Sequence, residues 1–478
     1  MEFYALLATL TLVIGGFALL LWRQTKSIAI LLGIGFLYYW SLFGAWSLVF
    51  DLRGGDSGMH YQYLFDKMFP VDLDGDYFQA LVYLGLFVIA VEITLLWCLP
   101  CSPLPKPLPT ERLIRISHNK LLILCGLAGL VSYFLIRDSL EFASSNNISA
   151  YLVTRGETDY DVISLFTLHA TLNRLALFPA VIGLAVLVSG KNVRMVLGPG
   201  GPGILLAYAA LLSAMFVFCL ILGNKNELFV ALVTGVLFYL ANDLQPRKFL
   251  LGGLSIAAFA GVAFIDFVRG AAPNDVQELI STENVFDALG HIISSNEAFA
   301  SHMSLYGCLH YEVPLTYGSS LVSLVASVVP RNLWPDRPSD IYTHYAVSVQ
   351  AAAGQGYSIH HAAGWYLNFG PPGVLLGGVL LGWVWSRLFA ASRRLDRYRS
   401  PAARLFFSYA ALSFSAYLPT LIRAGPEVYK GAFIDALLVP FAVLWFSQEQ
   451  AAETCLLQGS RSFESNHRPA SEDRTYVR

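Results

Sequence analysis

Charge is what this chain of 478 residues has least of: Asp, Glu, Lys and Arg make up 13% of it, about half the usual globular share. An ordinary soluble domain is excluded on that ground. The 31 basic and 33 acidic residues nearly cancel, so no basic surface argues for nucleic acid. The opening Met1-Glu-Phe-Tyr4 has no basic residue, unlike a cleaved secretory signal, and the apolar run that follows reads as a retained span. Six cysteines are scattered. Cys98 and Cys101 form one Cys-x-x-Cys pair without the second pair that a zinc ribbon needs, and Cys308 has no partner in its loop for a disulfide. No His-x-x-x-His spacing occurs, so no metal site is expected. The glycine and proline cluster Gly198–Gly203 lacks a preceding strand and a following Gly-Lys-Ser/Thr, and reads as a flexible turn rather than a phosphate loop.

What the chain has in abundance is apolar sequence, 55% of it, in repeated runs of roughly twenty residues. The expected fold is all-α and polytopic, with about eleven transmembrane helices, in one membrane domain over residues 1–447 followed by a polar, disordered tail at 448–478. The runs lie near Phe3–Trp22, Ile28–Phe50, Tyr77–Leu99, Leu121–Ile136, a fifth ending at Ser189, Ile204–Leu222, Leu228–Ala241, an eighth ending at Val268, Val374–Ala390, Leu405–Ile422 and Gly431–Phe446. Loop charge orients them. Lys106, Arg112, Arg115 and Lys120, then Lys191 and Arg194, then Arg247 and Lys248, then Arg393 to Arg404 fall on alternate loops, which the positive-inside rule places in the cytosol. The N-terminus and the large loop 269–373 are then outside.

Against that pattern stand the cations expected at the outer face: Arg155, Lys225, Arg269, Arg331, Arg337, Arg423 and Lys430. A fixed cation beside hydrocarbon usually has a dedicated partner. Internal salt bridges to Glu157, Asp159, Glu227, Asp336 or Asp340 are one account. An anion is the other, since the guanidinium fork suits phosphate oxygens. Within the large loop, Val285, Leu289, Ile292 and Ile293 have the spacing of an amphipathic surface helix. Leu321–Val329 is apolar but too short to span, and reads as a buried or re-entrant piece. Prolines 330, 335 and 338 hold Arg331, Trp334 and Arg337 on a stiff irregular loop. Irregular backbone at membrane depth needs protein or a watery cavity beside it, so a cavity is expected.

Pro330-Arg-x-x-Trp-Pro-x-Arg-Pro338, followed by Tyr366-Leu-Asn-Phe-Gly-x-x-Gly373 opening a span, resembles the Wzy-type oligosaccharide repeat-unit polymerases, the O-antigen polymerases of bacterial envelopes. Where those polymerases often show a Gly-Glu pair, this chain has His360-His361, nearer to the related O-antigen ligases. The resemblance implies a metal-independent, cofactor-free membrane glycosyltransferase acting at the outer face of the bacterial inner membrane. Its donor would be a glycan on undecaprenyl pyrophosphate, and its partners membrane lipids, a chain-length regulator and a flippase. On that reading His360 and His361 are candidates for the acceptor's base, and Arg331 for stabilising charge on the departing pyrophosphate. Arg155, Lys225, Arg269, Arg337, Trp334, Tyr357, Tyr366 and Asn368 are candidates for binding substrate. His169 and Arg174 are candidates for a cavity floor, and Trp365 for sugar stacking. A ligase-like transferase, a lipid-linked oligosaccharide flippase and a non-enzymatic scaffold remain as alternatives, although no internal duplication of the transporter kind is visible.

Overall fold

A computed structural model describes residues 2–49, 73–99, 116–150, 153, 166–189, 201–223, 225–241, 297–326, 334, 338, 340–350, 358–398 and 400–448. Among them every regular element is helical, and only two isolated bridges join extended residues. The helices are α1 (Glu2–Thr25), α2 (Ile28–Tyr38), α3 (Gly44–Val49), α4 (Gly75–Cys98), α5 (His118–Ser145), α6 (Phe166–Ser189), α7 (Gly201–Ile221) and α8 (Lys225–Ala241). Then come α9 (Glu297–His310), α10 (Ser319–Ala326), α11 (Ile341–Ser348), α12 (His361–Ser392), α13 (Pro401–Arg423), α14 (Tyr429–Phe433) and α15 (Val439–Phe446).

Among the described residues seven helical stretches are long and apolar enough to cross a membrane, which makes this a multi-pass membrane protein. They coincide with seven of the eleven expected runs. The apolar stretches Leu172–Leu187 and Gly431–Phe446 are shorter, and α8 has 17 residues. The eighth expected run and the amphipathic stretch around Val285 lie outside the described residues. Several boundaries move. Helix α5 continues past Ile136 to Ser145, because Arg137 and Glu141 pair at 2.6 Å one turn apart on its surface. Gly201, Pro202 and Gly203 are not a turn but the first residues of α7, where proline's missing N–H costs nothing. Helix α8 begins at Lys225, so the expected outer turn shrinks around Gly223, whose φ of 64° favours glycine.

The end of the bundle where α1 and α4 begin carries Glu2, Asp74 and Asp76, and the opposite end carries Arg23, Lys26, Arg393, Arg394 and Arg397. Helices α1 and α4 run side by side in parallel: Phe3 meets Tyr77 and Phe78, Leu10 fills the space over Gly85, and Gln24 donates to the Leu99 carbonyl at 2.8 Å. On its other side α4 packs on α12, where a methyl added to Gly378 or Gly382 would fall within 2.7 Å of the Phe87 or Val91 carbonyl. Small residues let the two backbones approach closely where lipid supplies no hydrophobic drive.

Glu92 sits seven residues beyond Gly85, on the α1-facing side of α4, fully buried with both carboxyl oxygens unpartnered. Leucine there removes an unsatisfied polar group and keeps the volume. Glu92→Leu is expected to raise thermal stability in detergent, by about 1–3 kcal/mol. A melting temperature that falls instead would mean that the carboxyl is used.

Among the described residues two helical stretches are wound as π-helix for one turn, over Tyr39–Phe43 between α2 and α3 and over Ile434–Leu438 between α14 and α15. In each, the third residue's carbonyl is taken by side chains of a neighbouring helix. Ser41 O accepts from His302 Nδ1 at 2.7 Å, and Ala436 O accepts from the Tyr409 and Ser413 hydroxyls at 2.7 and 3.1 Å. The wider turn frees a carbonyl, and an outside donor holds it in place.

Candidate functional site

The site is built on a break in α12. Gly370 has φ 66° and ψ −154°, a conformation open to glycine alone, and Pro371 and Pro372 deny the next turn its donors. The chain reverses there. Trp365 and Gly377 would lie about 18 Å apart in a straight helix, yet the Trp365 indole covers Gly377 and its carbonyl lies against Gly373. The expected ninth span is therefore the second half of α12, and the preceding His361–Phe369 is a short re-entrant helix doubled back on it. That helix begins inside the protein. His360 and His361 both lie against Phe87, twelve residues or about 18 Å along α4 from its first turn.

His360 and His361 were expected in a wet loop, and the structure buries both completely. His360 caps the re-entrant helix: its Nδ1 accepts from the Ala362 N–H at 3.0 Å. The proton is then on Nε2, which donates to Ser41 Oγ at 3.0 Å. Its own N–H donates to Ser304 Oγ at 2.8 Å. His361 Nε2 accepts from the Trp365 indole at 3.1 Å and lies 3.2 Å from the Tyr429 hydroxyl. A third histidine joins them. His302 of α9 donates from Nδ1 to the Ser41 carbonyl and accepts the Tyr77 hydroxyl on Nε2 at 2.9 Å. Burial holds the His302 imidazole down to about 4, against which the Ser41 carbonyl acts only weakly. Five helical segments thus meet on three buried imidazoles, and none of the three is open to a substrate in this state.

Among the described residues the acidic end of α4 is a polar surface that adjoins this core through Tyr77 and Tyr306. Asp74 caps α4 by accepting the Tyr77 N–H at 2.8 Å, and its other oxygen accepts the Tyr306 hydroxyl at 2.9 Å. Burial pushes the Asp74 carboxyl up, but those two bonds and His310 outweigh it and hold it below the ordinary value. His310 Nδ1 lies 3.4 Å from Asp74 and 3.9 Å from Asp76. These three side chains have ligand atoms within 4.8 Å of one another, a grouping that no sequence spacing announced. Both Asp74 oxygens are already engaged by protein donors. Beyond them, Gln79 Nε2 donates to the Tyr83 hydroxyl at 2.7 Å, and the Tyr83 ring lies 5.9 Å from that of Tyr366.

The other expected site residues divide. Arg155, Arg269, Arg331, Arg337 and Tyr357 lie outside the described residues, as does the side chain of Lys430. Trp334 is described and 41% exposed. Asn368 is not free for a substrate: its amide donates to Gly364 O and Ser320 Oγ, and its oxygen accepts from Thr316 and Ser320, which ties residues 316–320 to the reversal. Lys225 is buried in the first turn of α8 rather than exposed in a turn. Arg174 is held by Glu227 at 2.9 Å, so an internal salt bridge explains that cation. Helix α10 covers the first part of the short apolar piece expected at Leu321–Val329, and residues 327–329 lie outside the described residues. Its serines 320 and 323 face inward while Val322 and Val325 are 54% and 72% exposed. Ser41, Tyr77, Tyr83, Gln79, His302 and Ser304 gave no sequence signal, because each is an ordinary residue inside or beside an apolar run.

No protein-family model, curated protein or solved structure matches the chain.

Proposed function

We propose that this protein polymerises oligosaccharide repeat units carried on undecaprenyl pyrophosphate, at the outer face of the bacterial inner membrane. The observation that carries the reading is the re-entrant helix. The stretch Tyr366–Gly373 that resembles the polymerases forms one built unit with the His360-His361 pair that resembles the ligases, its start buried on Ser41 and Ser304 and its last turn beside the acidic end of α4. In the proposed step an acceptor sugar hydroxyl forms a bond to the anomeric carbon of the donor. The bond from that carbon to the phosphate oxygen breaks, and undecaprenyl pyrophosphate leaves with the electron pair. Arg331 and Arg337, with Arg155 and Arg269, supply the positive charge that the leaving group needs. The acceptor's proton goes to a surface base, for which Asp76 and His310 are placed. His360 and His361 then position the re-entrant helix rather than touch the sugar.

Broken helices also suit a carrier that moves a lipid-linked glycan across the membrane, and one experiment separates the two. Purified protein in vesicles holding lipid-linked repeat units is expected to lengthen the glycan, with EDTA present. Arg331→Ala should be impaired more than Arg331→Lys, which keeps charge but loses the fork. Movement of the glycan across the bilayer without lengthening would decide for the carrier. Restoration of Arg331→Ala by Asp336→Asn would reduce the arginine to a counter-ion.

A further inference from the structure

Asp76, Gln79 and Tyr83 recur at three- and four-residue intervals on α4, so they share one face over about 10 Å of helix. Tyr366, near the outer end of the re-entrant helix, lies across from them. The Tyr83 and Tyr366 rings are 5.9 Å apart and tilted by 32°, and each is partly exposed. Gln79 is exposed and fixed through one N–H on the Tyr83 hydroxyl, which leaves its carbonyl and second N–H without a partner among the described residues. Asp76 stands one turn further out, its carboxylate half exposed, with His310 Nδ1 3.9 Å away.

We infer that this surface, where α4 meets the re-entrant helix, binds a sugar ring of the glycan, laid on the exposed side of the adjoining Tyr366 and Tyr83 rings with Gln79 and Asp76 on its hydroxyls. The inference rests on the proposed function for which glycan is meant, and adds where its sugar is held. A pyranose offers one apolar face of C–H bonds and a rim of hydroxyls. The surface offers the complement: a pair of adjoining, partly exposed rings, an oriented amide and a carboxylate. A pyrophosphate does not fit, because Asp74 and Asp76 would repel it. A lipid tail does not fit either, because it would strand the amide and carboxylate unpaired. The phosphate end of the substrate is therefore elsewhere, and this end takes sugar. Gln79 and Asp76 have a selective task, since an amide and a carboxylate built for hydroxyls discriminate strongly against a sugar lacking them.

The test is direct binding, independent of turnover. The probe is oligosaccharide released by mild acid from the polysaccharide of the source strain, titrated against the detergent-purified full chain and read by saturation-transfer NMR. Tyr366→Ala and Tyr83→Ala are each expected to weaken binding roughly tenfold, the size of one lost aromatic contact. Tyr366→Phe should bind as the parent does, and Asp76→Asn and Gln79→Ala should change which sugars of the panel bind. Melting temperature is measured for every variant, and where an alanine variant unfolds, Tyr366→Leu and Tyr83→Leu replace it, keeping bulk but not a ring face. Parent-like binding by folded variants at both tyrosines overturns the inference, as does failure of the parent to bind any sugar of the panel. So does loss of lipid retention with unchanged sugar binding, which would make the pair a headgroup anchor. If the parent binds sugar through Tyr366 but lengthens no glycan, the sugar site stands and the polymerase reading falls.

Discussion

Gly373→Ala is expected to remove most of the folded protein from the membrane. A Cβ at that position collides with the Trp365 carbonyl and comes within 3.0 Å of the Phe369 Cβ. Neither neighbour can yield by turning a rotamer, since one is backbone and the other the root of a side chain. The strain must open the reversal at Gly370, and with it the seats of His360 and His361. Overpacking costs about 1–3 kcal/mol where side chains can adjust, and more where backbone must move. For a multi-pass protein of ordinary stability that is enough to deplete the native state. Gly35→Ala is the control: nothing lies within 4 Å of its added methyl, and alanine is the better helix former. Fluorescence-monitored melting of both variants in detergent checks it. Equal melting temperatures would show that α12 does not double back at Gly370.

The membrane class and most spans are legible in the sequence because hydrocarbon imposes one requirement, about twenty apolar residues with every backbone group bonded within the helix. Interior detail is not legible for the same reason. Ser41 lies in a run that would be read identically with alanine in its place, yet its carbonyl and hydroxyl join two helices distant in sequence. Composition also cannot tell a span from two helices folded together. The run Val374–Ala390 marked the second half of α12 correctly, but Gly370-Pro-Pro-Gly373 read as the end of the outer loop opening that span, when it is the point of reversal. Burial of His360 and His361 follows from that misreading. Had the residues before Gly370 been in a loop, the imidazoles would have been wet.

Cations were legible as anomalies but not as partners. Glu227 lies two residues from Lys225 in sequence, and the structure also brings it to Arg174, 53 residues away. Sequence distance announced only a near pairing, while the first turn of α8 brings the carboxylate to α6. The aromatic motif behaves differently: the Tyr366 and Asn368 positions that carry the family resemblance separate into one partly exposed ring and one amide with every hydrogen-bonding position filled. A motif of mixed role is what a re-entrant helix requires, with one face seated in the protein and the other presented to its outer end.

Acid is expected to destabilise this protein as pH falls from 6.5 to about 4, before Asp74 is protonated. His302 is buried with its Nδ1 proton on the Ser41 carbonyl and its Nε2 accepting from Tyr77, so a second proton has to displace the Tyr77 hydroxyl inside the core. Its folded value of about 4 lies below the ordinary 6.5, so the unfolded chain takes up the proton first. Stability from this group is then complete above pH 6.5 and is lost as pH falls through the window from 6.5 to about 4. The shift is worth roughly 3 kcal/mol. His360 beside it is held low as well, by burial and then by His361 and His302, and adds to the loss in the same direction. Asp74, held below 3.8, contributes only at more acid pH, so the two effects separate on the pH axis. His302→Gln keeps an N–H for the Ser41 carbonyl and an acceptor for Tyr77 but cannot take the proton. It should melt somewhat lower than the parent at pH 7.5 and lose less than the parent between pH 6.5 and 4, by about the same 3 kcal/mol. Melting curves of parent and variant across pH 4 to 8 supply the comparison. Parallel pH profiles would mean that His302 is reached by water in the folded protein, and that the three-histidine core is open where the structure has it closed.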